Sequence, residues 1–166
     1  MPFQVDDRVV HPAHGVGRVV GLVTKHFSGP EARLYYEVAH PRSTVWVPVE
    51  ADAASELRPL TSRDELGRYR GVLRSRPVSL TPDHRQRRFD LLSRLKAGLF
   101  QNLCEVVRDL TARGWLKPLS EMDSITLRKT RDDLCTEWAA ADGGSILQAV
   151  EEVNALLLEG RQAHQG

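Results

Sequence analysis

Residues 8–24 read RVVHPAHGVGRVVGLVT, in which runs of valine stand on either side of a turn-forming segment with two glycines. Valine favours extended backbone, and glycine adopts the positive φ that a tight turn between two strands requires. Similar segments rich in Val, Tyr and Trp follow, and Gly or Pro separates them. The predicted strands span 8–10, 18–24, 33–38 and 44–47, with turns at Ser28-Gly29-Pro30 and at Pro41. The sequence therefore predicts a small antiparallel sheet that curls into an SH3-like or Tudor-like barrel, because closure protects the edge strands.

Side-chain alternation along the fourth predicted strand assigns Trp46 to the surface. Successive residues of a strand point to opposite faces, so that Val45 and Val47 face the core and Trp46 faces outward. An outward-facing indole is a frequent anchor of protein interfaces, because a flat ring buries much apolar area at little entropy cost. We expect an interaction surface around Trp46, and the alternative is that this ring covers the second domain.

The period of the apolar residues changes from two to about three and a half near residue 61. Five helices are predicted beyond this point, and none can bury its apolar stripe alone. They span 64–73, a segment that starts at Thr81-Pro82, a segment from Leu99 to near Gly114, 120–141 and 145–158. The predicted fold class is therefore α+β, with an N-terminal antiparallel β-barrel followed by a C-terminal all-α domain of five helices.

Local signals predict the ends and faces of the first two helices. Ser62 and Glu65 have the spacing of a capping box. Pro82 suits the first position of the second helix, because proline has no N–H to leave unpaired there. The apolar positions of that helix that we expect to face the core are Phe89, Leu92 and Leu95.

The charge of the chain is small in total but uneven along the sequence. The whole chain has a formal net charge of +1, whereas residues 61–96 hold ten Lys or Arg against four Asp or Glu. A local basic stripe is typical of a surface that faces phosphates. Together with the change of period near Arg58-Pro59-Leu60, this predicts domains at 1–58 and 61–160 and a tail at 161–166.

The sequence contains no motif for catalysis or metal binding. A phosphate-binding loop, a dinucleotide fingerprint, an HExxH motif and paired CxxC motifs are all absent. His11 and His14 lack a third ligand at metal-binding spacing, so we expect a pair of turn residues there. Cys104 and Cys135 lie among apolar residues, which favours buried, reduced thiols. We expect a binding protein with no catalytic residues, metal, cofactor or small-molecule substrate.

A membrane role is not indicated by the sequence. No apolar run approaches the ~20 residues that a helix needs to cross a bilayer. The N-terminus also lacks the basic-then-apolar layout of a secretory signal. We therefore expect a cytoplasmic protein without a membrane partner.

The opening MPFQVDDRVVHPAHGVGRVVGL at 1–22 resembles the start of the CarD/CdnL family of bacterial transcription regulators, which shares this module with the transcription-repair coupling factor. The similarity lies in an apolar strand, the HPAHGVG segment at 11–17 and a second strand. LFQNLCEVVRDLTARGW at 99–115 is similar to the signature of the family's helical domain. Order and spacing also match, and the resemblance covers residues 1–158. The coupling factor itself is excluded, because it is a large ATPase and this chain has no nucleotide loop.

The resemblance implies a Tudor-like domain that binds the β subunit of RNA polymerase. Lys25 and Trp46 stand where members of the family have polymerase-contacting residues on adjacent strands. It also implies a helical domain that contacts promoter DNA without sequence specificity, through the backbone or minor groove, and thereby modulates the stability of the open complex. The protein would be associated with the nucleoid through RNA polymerase.

Six residues are the candidates for contact with DNA. Three arginines are expected to project from the start of the second helix, where the helix dipole adds to their attraction for phosphate. Two basic residues match positions on the fourth helix of the family, and a histidine can stack beside the arginines. The candidates are His84, Arg85, Arg87, Arg88, Lys129 and Arg131.

One residue departs from the family pattern. Members that stabilise open complexes commonly carry a Trp just before the basic positions of the second helix, where it wedges into the minor groove. Arg85 stands at that place in this sequence. A guanidinium enters a narrow minor groove but fills an unstacked base step less well than an aromatic ring.

Two alternatives to a DNA-contacting regulator remain open at this point. The first is an adaptor that binds polymerase with weak or no engagement of DNA. The second is a Tudor-like scaffold that binds peptides through an aromatic cage on the barrel. The residues that would form such a cage are Phe27, Tyr35, Tyr36 and Trp46.

Overall fold

The computed structural model describes residues 3–27, 29–49 and 57–164 of the chain. The predicted turn residue Ser28 and the last two residues of the predicted tail lie outside the described residues. The chain divides into two compact units, Met1–Leu60 and Thr61–Gly166. The first unit is built of strands and the second of helices, which confirms the predicted α+β class with a Tudor-like N-terminal domain.

The described residues of the first unit form an antiparallel sheet of five strands. They are β1 (Arg8–His11), β2 (Gly15–Lys25), β3 (Arg33–His40), β4 (Ser43–Pro48) and β5 (Arg58–Pro59), in the spatial order β4-β3-β2-β1-β5. The register of β2 with β3 shifts between Val19 and Gly21, and a bulge of this kind bends a sheet. One face of the bent sheet covers an apolar cluster, to which β1 to β4 and the residues just before β1 and β5 contribute. Its buried members are Phe3, Val9, Val19, Tyr36, Val38, Val47 and Leu57.

The two glycines of the first turn are needed for different physical reasons. Gly15 has a φ of +76°, which confirms the positive φ predicted for this turn. Gly17 pairs with Val9 in the ladder between β1 and β2, and its position has no space for a side chain. A Cβ there would lie 2.7 Å from Cε1 of His40 and 2.8 Å from Cγ1 of Val38.

The second unit consists of five helices around a shared apolar core. They are α1 (Leu66–Arg74), α2 (His84–Lys96), α3 (Phe100–Leu116), α4 (Glu121–Asp142) and α5 (Ile146–Ala163). Trp138 lies at the centre of this core, where its Nε1 donates a hydrogen bond to Glu152 Oε1 at 3.0 Å. Nε of Arg70 donates to the other oxygen of Glu152 at 2.7 Å, which lowers the pKa of that carboxyl group. None of the described helices has both the length and the hydropathy that a membrane crossing requires.

The ends of the helices follow the sequence signals with three differences, the first of which is that α1 begins at Leu66 and not at the predicted residue 64. Ser62 and Glu65 exchange the reciprocal hydrogen bonds of the predicted capping box just before α1. The prediction that Pro82 occupies the first position of α2 is wrong, because the following Asp83 caps that helix by accepting hydrogen bonds from the N–H groups of Arg85 and Gln86. At the other end of the chain, α5 continues to Ala163, beyond the residue at which the predicted domain ends.

Both cysteines are buried free thiols, as predicted. Burial raises the pKa of the Cys135 thiol to about 11. A thiol with so high a pKa is not a nucleophile at neutral pH, because the thiolate is the reactive form. These cysteines therefore belong to the apolar core of the helical unit.

Replacing Gly17 with Ala is expected to destabilise the N-terminal sheet by about 1–3 kcal/mol, because the new methyl group overlaps the stiff side chain of Val38. Gly71→Ala is the matched control, since its position in α1 is open and Ala favours helix by up to about 1 kcal/mol. Urea denaturation of the full chain, with hydrogen exchange of residues 8–25, measures both effects. A Gly17→Ala variant as stable as the unaltered protein would contradict the packing described here.

Candidate functional site

An aromatic and cationic cluster lies on the outer face of the sheet, opposite the face that covers the core. Trp46 is 37% exposed, and its neighbours Val45 and Val47 point into the core, as predicted. Nζ of Lys25 lies 5.6 Å from the centroid of the Trp46 ring. The ring of Phe27 lies 6.2 Å from that of Trp46 and 5.0 Å from that of Tyr35. We call the four residues Lys25, Phe27, Tyr35 and Trp46 the outer-face cluster.

The aromatic cage of the peptide-binding alternative forms only in part, because Phe27, Tyr35 and Trp46 lie together and Tyr36 does not join them. Tyr36 is fully buried on the core face of β3, where its ring packs edge-on against Phe3. Tyr35 points to the other face, because neighbouring residues of a strand alternate. The cage prediction is therefore wrong for Tyr36, and the chain's own Lys25 occupies the place beside the Trp46 ring that a ligand cation would take.

The histidine pair predicted at the first turn has a third neighbour. His14 lies with its ring centroid 4.8 Å from that of His11 and 5.5 Å from that of His40, which β3 brings to the turn. Nδ1 of His40 donates to the carbonyl of Val16 at 3.1 Å, and burial lowers the pKa of this imidazole. Within residues 3–27, 29–49 and 57–164, no group of three or more His, Cys, Asp or Glu side chains has a geometry that could hold a metal ion.

Arg87 does not project from α2 as predicted. Its side chain is 2% exposed, and its Nε donates to Oδ2 of Asp123 on α4 at 2.8 Å. Its other nitrogens contact the carbonyls of Thr81 and Pro82 and Nδ1 of His84. The guanidinium of Arg87 thus forms its hydrogen bonds inside the helical unit. The prediction that Arg87 contacts DNA is wrong, and this residue has a structural role.

The buried arginine determines which side of α2 faces outward. A helix turns by about 100° per residue, so Leu91 lies on the same side as Arg87 and is buried with it. Phe89 and Leu92 lie on the opposite side and are exposed, with Phe89 at 67%. The predicted core-facing role of these two residues is therefore wrong. Arg85 shares this side with them, and Arg88 lies at its edge.

The three other DNA candidates are placed less uniformly. His84 is exposed, but its Nδ1 is engaged by Arg87. Lys129 is exposed and pairs with Asp133 on the next turn of α4 at 3.2 Å. Arg131 is half-buried and directed toward α3, where it contacts Thr111. The structure thus groups Arg85 and Arg88 on one surface, and it directs Lys129 and Arg131 to different sides of α4.

Two family models match the chain. Residues 3–61 match the CarD-like/TRCF RID domain, and residues 70–154 match the C-terminal domain of CarD. The chain belongs to the CarD family. A curated relative from Bacillus subtilis (strain 168), named "Putative transcription factor YdeB", is 27% identical over 143 residues, which are 85% of this chain and 93% of the relative. The family and this relative support a role as a transcription regulator.

In this CarD-family chain, we expect Arg87→Met to lower the free energy of unfolding by about 3–5 kcal/mol, because it leaves the Asp123 carboxylate buried without its partner. Arg85→Gln and Arg88→Gln on the same helix are the matched controls. Each should change the free energy of unfolding by less than about 0.5 kcal/mol. Urea denaturation followed by circular dichroism gives the three values. An Arg87→Met loss as small as that of the controls would refute the buried pair.

Proposed function

We propose that this protein is a non-enzymatic transcription regulator that binds the β subunit of RNA polymerase and contacts promoter DNA without sequence specificity, so that it modulates the stability of the open complex. The outer-face cluster binds polymerase, and the outward side of α2 contacts DNA. The observation that carries the proposal is the exposed Phe89 beside Arg85 and Arg88 on a helix of a CarD C-terminal domain. The protein acts in the cytoplasm, at the nucleoid, through its attachment to polymerase.

The outer-face cluster has the composition of a protein-binding surface. Its exposed rings, Phe27 and Trp46, are of the kind that is enriched at interface centres, because each removes a large apolar area from water. Lys25 adds a cation beside the indole, which complements an acidic rim on a partner. Polymerase is the partner that the family match supports.

The outward side of α2 combines two kinds of contact with nucleic acid. Arg85 and Arg88 supply charge for backbone phosphates. Phe89 lies one helical turn beyond Arg85 and supplies an apolar ring that can enter an opened base step in the minor groove. Phe89 therefore takes the wedge role that the resemblance assigns to the position of Arg85. Lys129 adds a peripheral phosphate contact.

Attachment to polymerase lets the protein act on promoter DNA even if its own affinity for DNA is weak. A protein held at the promoter by one surface meets the DNA at a high effective concentration. The few available cations predict low affinity for free duplex and a clear loss of that affinity with salt. Tight, selective binding of free duplex would contradict this arrangement.

A second candidate function is an adaptor that binds polymerase without engaging DNA. It is favoured by the internal use of two of the candidate cations, since Arg87 is buried and Arg131 is directed toward α3. The pairing of Lys129 with Asp133 further reduces the free positive charge. The two candidates differ chiefly in whether the outward side of α2 contacts DNA, so substitutions on α2 distinguish them.

We expect Trp46→Ala to weaken capture by the immobilised β lobe of RNA polymerase by about 2 kcal/mol or more, as truncation of a central aromatic anchor does. Leu34→Ala is the matched control, because Leu34 is 38% exposed but lies on the core face of the neighbouring β3. A pull-down titration measures both affinities. If the two variants bind the β lobe with equal affinity, the assignment of the outer-face cluster as the polymerase surface is wrong.

On DNA, Phe89→Ala is expected to destabilise the open complex by about 1–3 kcal/mol, the usual cost of losing a ring that stacks on a base. Arg85→Trp should lengthen the lifetime of the open complex, because the substitution adds a second ring on the same side of α2. Leu158→Ala, at an exposed apolar position of α5, is the control. Open-complex lifetimes on one promoter test all three. If none of them changes the lifetime while capture by polymerase persists, the adaptor function is correct.

A further inference from the structure

A cationic pocket of about 580 Å³ lies in the helical unit, apart from the residues assigned to polymerase and DNA. It is formed by the segment after α1 and the carboxyl-terminal ends of α3 and α5. Four basic side chains line it: Arg76, Arg113, Lys117 and Arg161. Pockets of about 300–1,000 Å³ are the usual size for small-molecule ligands.

The positive charge of this pocket is not neutralised by the part of the chain that the structure describes. None of the four basic side chains forms an ion pair with a described carboxylate. The one carboxylate in the lining, that of Asp109, is already bound by Nε of Arg108 at 2.8 Å and by the N–H of Val78 at 2.9 Å. The helix dipoles place about half a negative charge at the carboxyl end of α3 and of α5, which offsets only part of the positive charge of the basic side chains. The pocket therefore retains a strong positive potential, which an anion would relieve.

The same pocket also presents an aromatic surface. Trp115 is partly exposed in its lining, and Cζ of Arg161 lies over the indole, 4.7 Å from the ring centroid. Arginine and indole together can hold a planar ring by stacking while the guanidinium meets a phosphate. Gly160 in the lining lets α5 approach the end of α1 closely, because a Cβ there would lie 2.8 Å from the carbonyl oxygen of Arg74.

We propose that this pocket binds a nucleoside polyphosphate. The phosphates lie against the four basic side chains, and the base lies against Trp115 and the apolar residues beside it. Charge alone would suit any polyanion, and the aromatic wall of this partly open pocket favours an anion that also carries a planar ring. The site uses none of the residues assigned to polymerase or DNA, so a bound nucleotide would act as an effector of the regulator.

Isothermal titration calorimetry of the full chain tests the proposal with three probes: ATP, inorganic tripolyphosphate and a short duplex DNA. ATP is expected to bind saturably and more tightly than tripolyphosphate. Arg113→Gln combined with Lys117→Gln should weaken ATP binding about tenfold or more, whereas the control Arg128→Gln on α4 should change it by less than about twofold. Trp115→Leu should remove the preference for ATP and leave tripolyphosphate binding unchanged. Thermal unfolding of each variant confirms that it is folded.

Three results would overturn the proposal. The first is a Kd for ATP weaker than about 1 mM, and the second is equal affinity of the double variant and the control. The third is binding of duplex DNA, but not ATP, that depends on Arg113 and Lys117, because the pocket would then belong to a DNA surface. Trp46→Ala and Phe89→Ala should leave ATP binding intact. Failure of the proposed transcription function is therefore distinguishable from failure of the nucleotide-binding proposal.

Discussion

The buried ion pair between Arg87 and Asp123 fixes how α2 is presented to the surroundings. A charge pair inside a protein is tolerated only when the remaining polar atoms are also satisfied, and here two carbonyls complete the set. The pair joins the first turns of α2 and α4, so it sets the rotation of α2 about its own axis. Apolar packing alone does not set that rotation, because Phe89 with Leu92 and Leu91 with Leu95 offer two competing faces.

Much of the fold was predictable because its signals are local. The valine runs at β1 and β2, the alternation around Trp46 and the positive φ at Gly15 depend on residues close in sequence. The same holds for α4, which Ser120 caps and the left-handed Gly143 ends. Where two local signals competed, as at Pro82 and Asp83, the stronger N-cap residue set the boundary.

The parts that escaped prediction depend on partners that are distant in sequence. The role of Arg87 requires Asp123 on another helix, and that of Gly17 requires Val38 and His40 from β3. Because Arg87 occupies the interior, Phe89 and Leu92 on the opposite side of α2 are exposed, whereas Leu95 packs against the core as predicted. The pocket around Trp115 draws on three separate segments, so no single stretch of sequence indicates it.

The exposed ring of Phe89 and the buried guanidinium of Arg87 lie on opposite sides of α2. Burying a phenylalanine side chain contributes about 1.5–3 kcal/mol, and this chain leaves Phe89 in water while it places an arginine in the interior on the opposite side of the same helix. Stability alone would favour a buried Phe89 and an exposed Arg87. Burying a charge costs free energy, whereas burying an aromatic ring stabilises the fold. The side of α2 opposite the buried pair therefore presents an apolar ring beside Arg85, which is the surface that this helix offers to a partner.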